Sequence, residues 1–128
     1  MKRILIFFFI LFIISVSSCS GSDEEAAAKA AEEYLQALAA KDKTALVNLS
    51  CQEWEEQASL EVDALLSVGA ELNNLNCEVL VEEGNDTLVN CSGALDLTYN
   101  DEIRSIDLST RTYHLRQEGG RWRVCSYR

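Results

Sequence analysis

The residues with the clearest chemical potential in this sequence are five cysteines, Cys19, Cys51, Cys77, Cys91 and Cys125. Cysteine thiols ligate metals or pair as disulfides, and their spacing decides between the two. No two of these cysteines have the short spacing of zinc ligands, and His114, expected at an exposed strand position, is the only histidine. We therefore expect no metal and no other cofactor. Disulfides remain, but five is an odd number, so at least one thiol needs another role.

The segment before Cys19 indicates that role. An unbroken apolar run over residues 4–14 follows two basic residues. It is shorter than the roughly 20 residues that span a bilayer and is typical of a secretory signal. The tetrapeptide Val16-Ser17-Ser18-Cys19 comes next and resembles the lipobox of bacterial lipoproteins. That resemblance implies cleavage before Cys19, a diacylglycerol on its thiol, and an exported protein anchored to the cell membrane or outer membrane. Cleavage after Ser18 with free secretion is the alternative.

The predicted organisation is a signal peptide over residues 1–18, a short flexible tether over 19–22 that carries the lipidated Cys19, and a single domain over 23–128. Residues 19–128 contain 9 basic and 21 acidic side chains, a net charge of −12. Nucleic-acid binding needs a basic surface, so this class of function is excluded. The charge is uneven, because six arginines against two acids make residues 103–128 net positive, at +4.

Apolar residues at a spacing of three to four predict helices over about 23–41, in a short segment after Asp42, and over about 52–68. After residue 74 the apolar residues alternate, which predicts strands over about 75–81, 89–99, 103–117 and 121–127. A bulge is expected near Ser109, where the alternation changes phase. The predicted fold is α+β, with three N-terminal helices packed on one face of a four-stranded antiparallel sheet, forming a cone.

The register of the first two strands predicts two disulfides. Burying the apolar faces of both strands together requires partners of matched parity. A three-residue loop at 83–85 then places Val79 opposite Val89 and Cys77 opposite Cys91, within disulfide distance. If Cys19 carries lipid, Cys51 and Cys125 remain as the second pair.

The order of elements resembles the nuclear-transport-factor-2-like (NTF2-like) superfamily, whose cone-shaped fold ketosteroid isomerase also uses. Two stretches carry the resemblance: the first helix and its turn, over 34–42, and the closing strand, over 120–125. The resemblance implies a small bacterial lipoprotein with a cone that can hold a ligand or an active site. No strand is predicted between the helices, where the superfamily usually has one.

Two groups of residues are candidates for binding. Tyr34, Tyr99 and Tyr113 are candidates to line a cavity, although such aromatic residues usually form core. Arg121 and Arg123 are candidates for an anion or partner surface, against the alternative of a solvated sheet face. No carboxylate is predicted on the inward face of the second strand, so a general base is missing there and no catalytic residue is assigned.

These observations favour a membrane-anchored extracytoplasmic lipoprotein that binds an unknown protein or small molecule without catalysis. Two alternatives remain open, an isomerase-like or dehydratase-like enzyme using the cone cavity and a purely structural envelope protein. An enclosed cavity with apposed polar groups would favour the enzyme, an empty apolar cone the binding module, and a filled cone the structural protein.

Overall fold

The computed structural model describes residues 20–128, so the predicted signal peptide and the predicted lipidation site Cys19 lie outside the described residues. Three helices come first: α1 (Ser20–Ala39), α2 (Lys43–Asn48) and α3 (Glu55–Leu65), the last preceded by a 3-10 turn at Gln52–Trp54. Helix α1 begins at Ser20, earlier than the predicted start near residue 23. None of the described helices combines the length and the apolar character needed to cross a membrane.

The sheet has five antiparallel strands where four were predicted. They are β1 (Gly69–Glu83), β2 (Asp86–Tyr99), β3 (Glu102–Asp107), β4 (Thr112–Glu118) and β5 (Arg121–Tyr127). The predicted third strand divides into β3 and β4 at a 3-10 turn over Leu108–Thr110, where Asp107 accepts a hydrogen bond from the backbone N–H of Ser109 at 2.9 Å. The expected bulge at Ser109 is therefore a complete break.

The long strand β2 organises the sheet. Its whole length pairs with β1, its first half pairs with β4, and its second half pairs with β3. Strand β5 completes the order by pairing with β4. The sheet face that α1 covers, called the inner face below, carries the core. One parallel bridge, between Ser50 and Val124, lies between α2 and α3, where the resemblance implies a strand.

Strand β1 begins at Gly69, earlier than the predicted start near residue 75. The residues 73–74 that were predicted to precede the strand form a bulge within it, and Asn74 has a φ of 54°. Gly93 faces this bulge with a φ of 99°, and a Cβ there would lie 2.4 Å from the carbonyl oxygen of Asn73. Only glycine permits this close approach of two backbones.

Both disulfides join the expected pairs, Cys77–Cys91 and Cys51–Cys125. Cys77 lies opposite Cys91 and Val79 opposite Val89, as the parity argument requires. The predicted three-residue loop at 83–85 is wrong, however. The turn has two residues, Gly84 and Asn85, and the register shifts between Val79 and Val81. The extra residue at Leu80 restores the parity that the shorter turn would have broken.

Candidate functional site

Two of the three candidate tyrosines meet inside the cone. Tyr34 on α1 and Tyr113 on β4 are both 0% exposed, and their ring centroids are 6.5 Å apart. Tyr127 on β5 extends the group, with its ring 5.5 Å from that of Tyr113 and 5.6 Å from that of Trp54. We call Tyr34, Trp54, Tyr113, Tyr127 and the carboxylate of Glu61 the interior cluster. Its aromatic rings pack against one another between α1, the turn before α3, β4 and β5.

A carboxylate joins the aromatic side chains of the interior cluster. Glu61 on α3 accepts hydrogen bonds from the hydroxyls of Tyr34, at 3.0 Å, and Tyr127, at 2.8 Å, one on each carboxylate oxygen. The indole N–H of Trp54 donates to the hydroxyl of Tyr34 at 3.0 Å. Each half-buried polar group in this chain of contacts is therefore paired, as burial requires.

The electrostatics of the interior cluster keep its tyrosines protonated. Burial, reinforced by the neighbouring Glu61 carboxylate, raises the pKa of Tyr34 well above its usual value. Burial and the hydrogen bond to Glu61 raise the pKa of Tyr127 to about 12. Burial also raises the pKa of Tyr113, against a smaller lowering by the Arg111 guanidinium. At neutral pH these hydroxyls are therefore protonated, and those of Tyr34 and Tyr127 donate hydrogen bonds to Glu61. None of the three pKa values is shifted toward the working range of a general acid or base.

One polar atom of the interior cluster lacks a partner. The hydroxyl of Tyr113 is buried and makes no hydrogen bond within residues 20–128. Arg111, which lowers the pKa of Tyr113, has its guanidinium over the ring of Tyr127, 4.7 Å from the ring centroid. The guanidinium therefore makes a cation–π contact with the face of the Tyr127 ring, while the hydroxyl of Tyr127 donates its hydrogen bond to Glu61.

The third candidate tyrosine lies elsewhere, which corrects the predicted cavity set. Tyr99, at the end of β2, is 60% exposed and does not touch the interior cluster. It borders an open depression of about 540 Å³, called the end depression below. Its other lining residues are Val68, Leu97, Glu102, Ile103 and Arg104. Tyr99 and Leu97 share the inner face with buried Leu95, but burial decreases along the strand: Leu97 is partly buried against the core and Tyr99 is exposed.

The predicted arginine surface is divided by the structure. Arg123 is half-buried and donates to the backbone carbonyl oxygens of Glu118, at 3.2 Å, and Ser50, at 3.4 Å. Arg121 is exposed and borders a separate depression of about 420 Å³ between α1 and β5. Arg123 therefore tightens the turn between β4 and β5, so the two arginines do not form one exposed anion surface.

Other charged groups on the sheet are also paired. Arg116 donates to Asp86 at 2.8 Å and lies 3.5 Å from Glu53. His114, predicted to be exposed, has a side chain only 15% exposed, with its Nδ1 atom 3.6 Å from an oxygen of Asp86. Asp86, the first residue of β2, therefore contacts two side chains of β4, those of His114 and Arg116. Within residues 20–128, no group of three or more histidine, cysteine or acidic side chains could hold a metal ion.

Glu61 was missed at the sequence level, although a signal existed. The residues Trp54, Ala58, Glu61 and Leu65 are spaced by four, three and four, which is the spacing of one helix face. Ala58 is fully buried on this face. An acidic residue at a position of this kind must find hydrogen-bond donors or stay at the edge of the core. Tyrosine hydroxyls from α1 and β5 supply those donors.

Comparisons with known proteins identify the fold. No family model matches the chain, and no curated protein matches it. An NTF2-like protein with a cystatin-like fold from Novosphingobium aromaticivorans superposes with a TM-score of 0.59 at 14% identity, covering 83% of this chain and 79% of that one. A proposed dehydratase of the NTF2-like family from Streptomyces avermitilis superposes with a TM-score of 0.58 at 12% identity, covering 84% of this chain and 94% of that one. An NTF2-like protein of unknown function from Pseudomonas putida superposes with a TM-score of 0.56 at 14% identity, covering 84% of this chain and 85% of that one. The described domain therefore has the NTF2-like α+β fold.

Proposed function

We propose that this chain is an exported lipoprotein, anchored through Cys19, whose domain binds a small molecule or a protein segment at the end depression without catalysing a reaction. The observation that carries the binding site is the exposure of Tyr99 beside Leu97 and Val68. Tyr99 and Ile103 are 60% and 69% exposed and border the same depression, and exposed apolar residues that share one concavity can form an interaction site.

The chemistry of the end depression suggests what it would bind. Val68, Leu97, Tyr99 and Ile103 offer apolar contact, while Arg104 and Glu102 place one charge of each sign at the rim. An elongated apolar ligand with an anionic group would match the apolar floor and the guanidinium of Arg104. Anilinonaphthalene sulfonate has this chemistry and becomes fluorescent in apolar sites, so it is a suitable probe.

The binding test uses residues 20–128, within which the described core from Ala27 to Val124 lies. We expect the domain to enhance the fluorescence of the probe, and Tyr99→Ser to weaken the binding several-fold. Leu80→Ser is the matched control, because Leu80 is 56% exposed but lies on β1, outside the end depression. If the two variants bind the probe equally, the end depression is not a ligand site and the structural alternative gains support.

Export and anchoring are supported by two features. The lipobox-like tetrapeptide lies directly before α1, and the domain contains two disulfides, which persist in oxidising compartments. Cys19→Ser in an exporting bacterium should move the protein from the membrane fraction to the soluble fraction. Intact mass of the membrane-bound protein should show an acylated N-terminal cysteine. An unmodified Cys19 would contradict the proposal.

The enzyme alternative is favoured by one observation, the Glu61 carboxylate that lies between two tyrosines inside the cone. Both oxygens of this carboxylate already accept hydrogen bonds from the hydroxyls of Tyr34 and Tyr127. A substrate would have to displace them. The geometry therefore supports binding at the end depression over catalysis in the interior cluster.

A further inference from the structure

Strand β3 has one edge that no other strand uses. It pairs with β2 on one side, and within residues 20–128 no strand pairs with its opposite edge. Five of its six residues are exposed, and Ile103 is 69% exposed. Such an edge presents unpaired backbone N–H and C=O groups that can accept a further strand.

The sequence of β3 specifies which strand would fit. Glu102, Ile103 and Arg104 read as acid, apolar, base. An antiparallel strand meets them in reverse order, so its matching sequence also reads acid, apolar, base. We propose that this edge pairs with β3 of a second copy of the chain, about a two-fold axis at Ile103. Each Glu102 then lies opposite Arg104 of the other copy, and the two isoleucines face each other.

The rest of the fold leaves room for this pairing. Strands β4 and β5 lie beside the first half of β2, whereas β3 lies beside its second half. With the axis at Ile103, the second copy's β3 extends past the turn after Tyr99 and away from β4 and β5. The two-fold axis is perpendicular to the sheet, so the helices of both copies lie on the same side. The pairing therefore does not depend on, or conflict with, attachment of both chains to one membrane.

The pairing also bears on the end depression. Directly opposed residues of an antiparallel pair point to the same face of the sheet. Glu102 borders the end depression, so Arg104 of the second copy comes to the rim of the first copy's depression. Each depression would then gain a cation from the other copy.

Charged residues on an edge strand often have the opposite purpose, which is to prevent pairing. The two purposes predict different effects of reversing charge. Protective charges repel in any register, so changing the sign of one should not matter to self-association. Complementary charges should lose pairing when one sign is reversed and recover it when both are reversed.

The test introduces Ile103→Cys into the full chain in an exporting bacterium. Opposed residues in an antiparallel pair have Cα atoms about 4.5–5.5 Å apart, which suits a disulfide. Only the residue on the two-fold axis meets its own copy, so we expect Ile103→Cys to give a disulfide-linked dimer on a non-reducing gel. Leu80→Cys, a comparably exposed position on β1, is the matched control and should give little dimer.

Charge reversal completes the test. Adding Arg104→Glu to Ile103→Cys should reduce the dimer at least about fivefold, because symmetry creates two like-charge pairs. Adding Glu102→Arg as well should restore it. The unsubstituted chain in mild detergent should show a concentration-dependent mass in sedimentation, which needs no introduced cysteine. Equal dimer yields from Ile103→Cys and Leu80→Cys, no response to Arg104→Glu, or a chain that sediments only as a monomer would each overturn the proposal.

Discussion

Two regions of this domain use the same residue types in opposite ways. In the interior cluster, Tyr34 and Tyr113 are fully buried, and the hydroxyl of Tyr34 belongs to a paired network around Glu61. At the end depression, Tyr99 shares the inner face of the sheet but remains exposed. Burial on the inner face of β2 decreases from Leu95, which belongs to the core, to Tyr99 at the end of the strand. The difference teaches that a tyrosine on the core face stabilises the fold only where a second layer covers it.

The largest expected effect on this difference comes from removing the tyrosine ring in each region and comparing the free energies of unfolding. Tyr34→Ala should lower the free energy of unfolding by about 3–5 kcal/mol, because it leaves a cavity and removes the donor to Glu61. Tyr99→Ala should change it by no more than about 0.5 kcal/mol, since the ring is mostly in water. Urea unfolding of both variants measures the contrast. Similar losses would show that the end depression is part of the stabilising core.

The next test concerns the two disulfides. The Cys51–Cys125 disulfide links residues that are 74 positions apart. It joins the start of the 3-10 turn that precedes α3 to strand β5, beside the interior cluster. Cys77–Cys91 closes only 14 positions within one hairpin. Chain entropy predicts a loss of about 4 kcal/mol when the first pair is replaced by alanine and about 3 kcal/mol for the second. Chemical denaturation of the two double variants checks the order, and the reverse order would contradict the chain-entropy account.

Alkaline pH should weaken the interior cluster. The pKa of Tyr127 is raised from 10.0 to about 12 in the folded protein, so the folded state holds this proton more tightly than the unfolded state. The resulting stabilisation is complete below about pH 10 and is lost as the pH rises through 12. Urea unfolding between pH 9 and pH 12 should show this decline, and Tyr127→Phe should make it shallower. Tyr99→Phe is the matched control and should leave the decline as it is in the unsubstituted protein.

The smallest expected effect is that of Tyr113→Phe. The hydroxyl of Tyr113 is buried without a partner, whereas the hydroxyl of Tyr34 is paired twice. Removing an unpaired buried hydroxyl should leave the stability within about 0.5 kcal/mol or increase it slightly. Tyr34→Phe, in comparison, should cost about 1–3 kcal/mol because Trp54 and Glu61 lose their shared partner. A large loss for Tyr113→Phe would indicate that its hydroxyl has a bonded partner, such as an ordered water.

Local patterns predicted much of this fold but only part of the candidate site. Alternation located most of the strands, and parity paired Cys77 with Cys91 even though the assumed loop was one residue too long. Parity survived because the bulge at Leu80 compensates for the shorter turn; had it not, every side chain of one strand would have changed face. The break at Leu108 was predicted only as a bulge, because a phase change in the alternation does not reveal how far the two halves diverge.

The sequence by itself determined the α+β order of elements and the parity that pairs Cys77 with Cys91. These are properties of spacing along one chain, so they can be read from neighbours in sequence. Only the tertiary structure decided that Tyr34 and Tyr113 are covered while Tyr99 is not, and that Glu61 lies between two tyrosines. The same holds for Arg123, which the fold draws to the backbone of Ser50. Periodicity gives a side chain its direction, but the extent of the opposing layer decides whether it is buried.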